Sequence, residues 1–255
     1  PRARHLFAPD GRTVIVALDH AAYHGPLPGL EEPARLLDSV GRAGADAVLT
    51  TYGVATRFRD HLGRLGLILR ADGGITRRGE GAAIRRLFRA EDALRLGADG
   101  VACMGLIGQP GEPESLANLG ELVGQCAQWG LPVLAEMLVQ PANGTSPTPD
   151  DVAFAARIGA EMGADLIKIP YVGPAAAFRT VIQQCPRPIV VLGGEKTPKT
   201  HDLLAAVAEA LDAGAAGVAI GRNVWQHADP EGVTMALVAL VHDGATVDQA
   251  LQEIA

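Results

Sequence analysis

The chain is predicted to fold as an α/β protein, a closed (β/α)8 barrel (TIM barrel) forming a single domain over residues 1–255. Three observations carry that prediction. Short apolar runs alternate with longer amphipathic ones from end to end, the pattern of parallel strands joined by helical crossovers. Several helical runs close on the same small signature, as a repeated supersecondary unit would: Ala43-Gly-Ala-Asp46, Leu96-Gly-Ala-Asp99, Met162-Gly-Ala-Asp165 and Ala213-Gly-Ala-Ala216. Hydrophobic residues make up 48% of the chain but aromatics only 4%, so the core is built from Ala, Val, Leu and Ile, which suit a parallel sheet wrapped by helices.

Taken in order, the strands are expected at 14–18, 47–51, 67–70, 100–104, 132–137, 166–169, 188–192 and 217–220, each a short apolar run. The helices are expected at 32–43, 53–63, 91–96, 114–129, 150–162, 174–185, 202–213 and 231–242. In each signature the glycine supplies the left-handed stop of a helix and the residues behind it open the next strand. Eight such strands in about 250 residues match a barrel. The competing doubly wound sheet lacks its mark, since no Gly-x-Gly-x-x-Gly follows the first strand.

Bulk properties narrow the function classes. Net charge is -7 with no basic block. The arginines at Arg77-Arg78 and Arg85-Arg86-x-x-Arg89 lack aromatic neighbours for base stacking, so they read as a solvated helix face or a subunit contact rather than a nucleic-acid surface. No apolar run approaches the roughly 20 residues of a membrane span. The start, Pro1-Arg-Ala-Arg-His5, lacks the apolar core of a signal peptide. Cys103, Cys126 and Cys185 form no Cys-x-x-Cys pair and read as reduced thiols in a cytoplasmic protein. His24, His201 and His227 have no metal-ligand spacing, so no metal is expected, and a covalent Schiff base through Lys168 would call for no cofactor.

The chemistry centres on Lys168. Only three lysines occur in the chain, and this one lies inside the apolar run Asp165-Leu-Ile-Lys-Ile-Pro170. A poorly solvated ammonium loses its charge more readily, and the neutral amine attacks carbonyls to form Schiff bases, which arginine cannot do. The plain alternative is a strand-end lysine whose ammonium reaches water. In a barrel the working residues project from the carboxyl ends of strands. Alternation along a strand puts Leu166 and Lys168 on one face, and Ile15, Ala17 and Asp19 on another that shares the barrel mouth. Asp19 is therefore a proton-transfer candidate, its ordinary alternative being a loop cap. His20 beside it is a second candidate, or simply a local hydrogen-bond partner.

The ends of the seventh and eighth strands read Leu192-Gly-Gly-Glu-Lys196 and Ile220-Gly-Arg-Asn223. Glycines there let backbone N–H groups approach an anion, and a short helix near Asn223 would turn its positive end the same way. Gly193, Gly194, Lys196, Gly221 and Arg222 are accordingly expected to bind substrate phosphate. Glu136 either pairs with Lys168 or assists a proton. Arg70 either completes the anion site or neutralises Asp72 or Glu136.

Taken together these residues resemble the archaeal-type, or DhnA-type, class I aldolase family. The likeness runs over nearly the whole chain through Leu18-Asp-His20 with Gly25-Pro-Leu-Pro-Gly-Leu30, Ala164-Asp-Leu-Ile-Lys168, Val191-Leu-Gly-Gly-Glu-Lys196 and Gly217-Val-Ala-Ile-Gly-Arg-Asn223. That family holds fructose-1,6-bisphosphate aldolases, 2-amino-3,7-dideoxyheptulosonate synthases and the thiolase of phosphorylated autoinducer-2 products. The resemblance implies a barrel, Lys168 as the Schiff-base lysine, Asp19 in proton transfer, a phosphorylated small-molecule substrate, and a homo-oligomer such as a decameric ring. It also exposes a departure. Where the sugar-phosphate aldolases place a tyrosine as general acid/base, Glu136-Met-Leu-Val-Gln-Pro141 sets Leu138. Leu69-Arg-Ala-Asp-Gly-Gly74 and Arg157-Ile-Gly-Ala-Glu-Met-Gly163 look closer to the thiolase branch, which uses a histidine matching His20. Tyr23, Tyr52 and Tyr171 are the hydroxyls that other loops offer instead.

The expected function is a metal-independent class I aldolase that breaks or forms a carbon–carbon bond in a phosphorylated ketose or related phosphorylated carbonyl compound. The alternatives are carbon–carbon cleavage with acyl transfer to coenzyme A and a non-catalytic sugar-phosphate-binding barrel.

Overall fold

The computed structural model describes residues 2–79, 84–141 and 144–254. Eight parallel strands close into the expected barrel: β1 (Thr13–Ala17), β2 (Ala47–Thr50), β3 (Gly66–Arg70), β4 (Gly100–Ile107), β5 (Val133–Val139), β6 (Leu166–Pro170), β7 (Ile189–Leu192) and β8 (Gly217–Ile220). Each pairs with its neighbours in chain order, and β8 returns to β1. Helices Pro33–Arg42, Ala90–Leu96, Glu112–Ala127, Pro149–Glu161, Ala175–Gln184, Thr200–Ala213 and Pro230–His242 pack outside. Among the described residues, no helix is long and apolar enough to cross a membrane.

The repeated signature does two jobs. Gly44, Gly97, Gly163 and Gly214 all have left-handed φ, between 82° and 109°, and end their helices as a Cβ-bearing residue would not. The aspartates behind three of them stitch the amino end of the barrel. Asp46 accepts the Val14 amide at 2.7 Å, Asp99 the Leu67 amide at 3.1 Å and Asp165 the Val133 amide at 3.0 Å. Each also donates its own N–H back to the carbonyl of the residue it holds. A carboxylate thus satisfies a strand-start amide that no neighbouring strand reaches. At the fourth signature Ala216 keeps only the return bond, to the Ile189 carbonyl at 2.7 Å.

Strand alternation divides the core. Val14, Val16, Val48, Leu67 and Leu69 face the helices. Ile15, Ala17, Leu49, Ile68, Ala102, Leu134, Leu166, Val190 and Ala219 fill the barrel, and Leu6 and Phe7 pack against them. Two residues further along each strand the same inward direction is occupied by Asp19, Thr51, Arg70, Met104, Glu136, Lys168, Leu192 and Gly221. There the wholly apolar filling gives way to a layer that holds four ionisable side chains, Asp19, Arg70, Glu136 and Lys168.

Three expectations are corrected. The helix expected at 53–63 is Tyr52–Arg57 followed by a 3-10 turn, Arg59–His61. Phe58 leaves helical geometry (φ -117°, ψ 30°), and the tighter turn brings both Phe58 and Leu62 onto the core. The strand expected at 100–104 continues to Ile107 because it stays paired with β5 as far as Val139; Gly105 within it leaves room for Met137, whose sulfur a Cβ would approach to 2.6 Å. The arginine cluster is no helix face. Asp72–Gly73 pairs antiparallel with Arg85–Arg86, and Arg86 bonds Glu121 at 2.9 Å, while residues 80–83 within that cluster lie outside the described residues.

Candidate active site

A cavity of about 340 Å3 opens at the carboxyl end of the barrel. Its walls include Asp19, His20, Glu136, Lys168, Gly193, Gly194, Gly221 and Arg222, so the catalytic candidates and most of the phosphate candidates meet in one place. Tyr23, His24, Ile75, Ile84, Met104, Leu138, Leu192 and Ala219 complete the lining.

Beneath the cavity Arg70, only 2% exposed, is shared by three carboxylates. Its Nε donates to Asp19 Oδ2 at 2.7 Å, one terminal nitrogen to Asp72 Oδ1 at 3.3 Å, and the other to Glu136 Oε2. Of the two readings offered for Arg70, the structure fits neutralisation of Asp72 and Glu136; its place in the substrate anion site is corrected, because it bonds protein carboxylates and does not line the cavity. Asp72 is anchored in turn by the Met104 amide at 2.6 Å. Burial favours a neutral Asp19, yet the Arg70 charge, His20 and Lys168 hold its carboxyl well below the usual carboxylate range. For Asp72 burial wins and pushes the carboxyl up.

Lys168 is 3% exposed, and its Nζ lies 2.7 Å from Glu136 Oε1. Register makes this contact: Glu136 and Lys168 are direct partners across β5 and β6, pointing the same way. Burial works to raise Glu136, but the charges of Lys168 and Arg70 prevail and hold it below its ordinary range. His20 Nδ1 sits 3.4 Å from Asp19 Oδ1, and the His20 ring meets the Trp225 ring edge-on at 5.4 Å between centroids. Trp225 is fixed by its indole N–H, which donates to the Ala17 carbonyl at 3.1 Å. Gly221 permits this packing, since a Cβ would lie 2.6 Å from the Ala17 oxygen and 2.8 Å from His20 Cε1.

The two glycine loops are joined by Asn223. Its amide donates to the Gly193 carbonyl at 2.8 Å and the Glu195 carbonyl at 3.1 Å, while its oxygen accepts the Thr197 amide at 2.7 Å. A helical turn begins at Arg222, and the buried Arg222 Nε has no hydrogen-bond partner among the described residues. Lys196 departs from expectation. It does not line the cavity, because its ammonium donates to the Gln226 carbonyl across the loops.

Of the three tyrosines offered in place of the one missing at Leu138, only Tyr23 lines the cavity. Its hydroxyl reaches the Asp72 carbonyl at 3.4 Å, and burial raises its pKa. Tyr52 stacks on Phe88, and Tyr171 bonds Glu209. Sequence reading missed the parts played by Trp225, Asn223 and His24. For Trp225 and Asn223 the available signal was their place just past the last strand; His24 carried none. His24 lines the cavity, its pKa lowered by burial and by the neighbouring charges of His20, Arg222 and Arg77. Among the described residues, no group of three or more His, Cys, Asp or Glu is arranged to hold a metal.

Comparison with known proteins agrees with this geometry. The family model for DeoC/LacD family aldolases matches residues 13–227. The 2-amino-3,7-dideoxy-D-threo-hept-6-ulosonate synthase of Halobacterium salinarum is 34% identical over 95% of this chain and 91% of its own. The fructose-bisphosphate aldolase class 1 of Thermoproteus tenax is 33% identical over 96% of this chain and 95% of its own. An archaeal fructose-1,6-bisphosphate aldolase, solved with its catalytic lysine bound covalently to the carbinolamine intermediate, superposes with a TM-score of 0.87 at 31% identity, covering 94% of this chain and 98% of that one. With a matching barrel and relatives that work through a lysine, the chain belongs to the DeoC/LacD family aldolases and is a class I aldolase of the archaeal, DhnA type.

Proposed function

We propose that this aldolase acts on a phosphorylated ketose or related phosphorylated carbonyl compound through a Schiff base on Lys168. The observation that carries the reading is the placement of Lys168, the only lysine lining the cavity, facing the glycine loops at its rim. The amine attacks the substrate ketone and water leaves, giving an iminium. The iminium withdraws the electron pair of the adjacent carbon–carbon bond, which breaks as a hydroxyl one carbon further gives up its proton. Run backwards, the enamine attacks an aldehyde. Asp19 and His20, 3.4 Å apart, are assigned the proton transfers of that bond-breaking step.

The phosphate is assigned to Gly193, Gly194, Gly221 and Arg222, where a buried guanidinium nitrogen lacks a protein acceptor. Anchoring it there sets the ketone carbon against Lys168 and restricts its motion before reaction. Cytoplasmic location and homo-oligomeric assembly are inferred from the family alone.

Incubation with a panel of phosphorylated ketoses, including fructose 1,6-bisphosphate, tests the reading. Release of an aldehyde without added coenzyme A is expected for at least one member, and Lys168→Met abolishes it. Turnover only with coenzyme A would reassign the protein to acyl transfer. Cleavage undiminished in Lys168→Met would overturn the role of that lysine.

A further inference from the structure

Class I chemistry needs the lysine to shed protons before and after it bonds carbon, and Glu136 is the group that touches its nitrogen. We propose that Glu136 is a catalytic acid/base dedicated to Lys168, carrying the protons of Schiff-base formation while Asp19 and His20 serve the carbon–carbon bond. The inference rests on the Lys168 reading and divides labour within it.

The geometry is specific. Oε1 of Glu136 lies 2.7 Å from Nζ, both residues line the cavity, and Oε2 is held from behind by Arg70. One oxygen is therefore free to exchange protons while the other fixes the carboxylate in place. Asp19 has a different post: it takes the Arg70 Nε and faces His20 on the opposite wall. The charged and titratable groups around Glu136 are Lys168 on β6, Arg70 on β3, Asp19 after β1, and Asp72 and Tyr23 beyond Arg70. Leu138 occupies the next inward position on the same strand and has no proton to exchange, so Glu136 is the ionisable side chain that β5 brings to the cavity.

The proton count closes. Glu136 takes one proton from the ammonium, and the amine lone pair forms the carbon–nitrogen bond as the carbonyl pair moves onto oxygen. Glu136 returns that proton to the alkoxide, then takes the next from nitrogen, leaving a neutral carbinolamine. It gives this second proton to the departing hydroxyl, and the nitrogen lone pair expels water to form the iminium. Three ammonium hydrogens become one on the iminium and two in the water, and Glu136 ends ionised as it began.

The test is the rate of covalent capture, separate from turnover. Dihydroxyacetone phosphate is mixed with protein, quenched with borohydride over a time course, and the reduced adduct is counted by intact-protein mass. Glu136→Gln is expected to slow capture at least about 100-fold at neutral pH, with the rate recovering as hydroxide replaces the missing base between about pH 6 and pH 9. Glu136→Asp retains the charge against Arg70 and Lys168 but draws back the oxygen, and is expected to lose about tenfold with an unchanged melting curve. Should Glu136→Gln fail to fold, the Glu136→Asp result decides. Capture by either folded variant at the wild-type rate would overturn the proposal while leaving Lys168 intact. No capture by the wild type with any phosphorylated ketone would instead remove the Lys168 reading.

Discussion

Carboxylates occupy both ends of the barrel, and the two ends use them differently. At the amino end Asp46, Asp99 and Asp165 each accept a backbone amide, so their charge is spread over hydrogen bonds that hold strands in register. At the carboxyl end Asp19, Asp72 and Glu136 surround one buried guanidinium, and one of them also touches the lysine. The first arrangement is modular, since each aspartate latches the start of a different strand, although Asp46 also takes His242. The second is a cluster in which every member depends on Arg70. Stability is therefore distributed at one end and concentrated at the other, beside the cavity where chemistry needs charge kept out of water.

Removing the hub breaks the comparison most severely. Arg70→Met leaves three neighbouring carboxylates without their shared cation, and is expected to cost about 3–5 kcal/mol by urea denaturation and to abolish turnover. A loss below about 1 kcal/mol would mean that the cluster is not organised by Arg70. At the other end Asp165→Ala removes one amide partner. Its expected cost is about 1–2 kcal/mol, with turnover per folded molecule unchanged, because the latch touches no cavity residue. A drop in turnover there would couple the two ends.

The smallest effect is in pH dependence. His242 bridges Asp10 at 2.7 Å and Asp46 at 3.0 Å. Burial opposes its charge, but hydrogen bonds and the charges of the two aspartates raise its pKa above the ordinary value. A raised folded pKa stabilises fully below about pH 6.5, the unfolded value, and the contribution fades as pH climbs through the folded one. The wild type should thus exceed His242→Gln in urea midpoint at pH 6, and the gap should shrink in more alkaline buffer. Asp19 and Glu136, both lowered, behave oppositely: their contribution is present at neutral pH and is lost as pH falls through their folded values.

The barrel was legible because its cues are local. Strand and helix periods and the glycine stops at Gly44, Gly97, Gly163 and Gly214 need no knowledge of distant residues. The inward face was legible too, since a period of two carries Ile15 to Asp19 and Leu166 to Lys168. What the sequence withheld were contacts made across the barrel. Pairing of Arg70 with Asp72 or Glu136 could be read from the strand ends, but nothing near Arg70 says that Asp19, 51 residues earlier, will join them on one guanidinium. Lys196 looked like an anion ligand until loop geometry turned it to a backbone carbonyl, and Gly221 looked like a phosphate cradle although its bare Cα is also required by His20 and Trp225.

The central claim is that one amine carries the substrate. Reaction with dihydroxyacetone phosphate under borohydride, followed by proteolysis and peptide sequencing by mass spectrometry, assigns the adduct among the three lysines of the chain. The account predicts stoichiometric modification of the peptide containing Lys168, absent in Lys168→Met. Modification confined to Lys196 or Lys199, or an active enzyme that yields no reduced adduct, would contradict it.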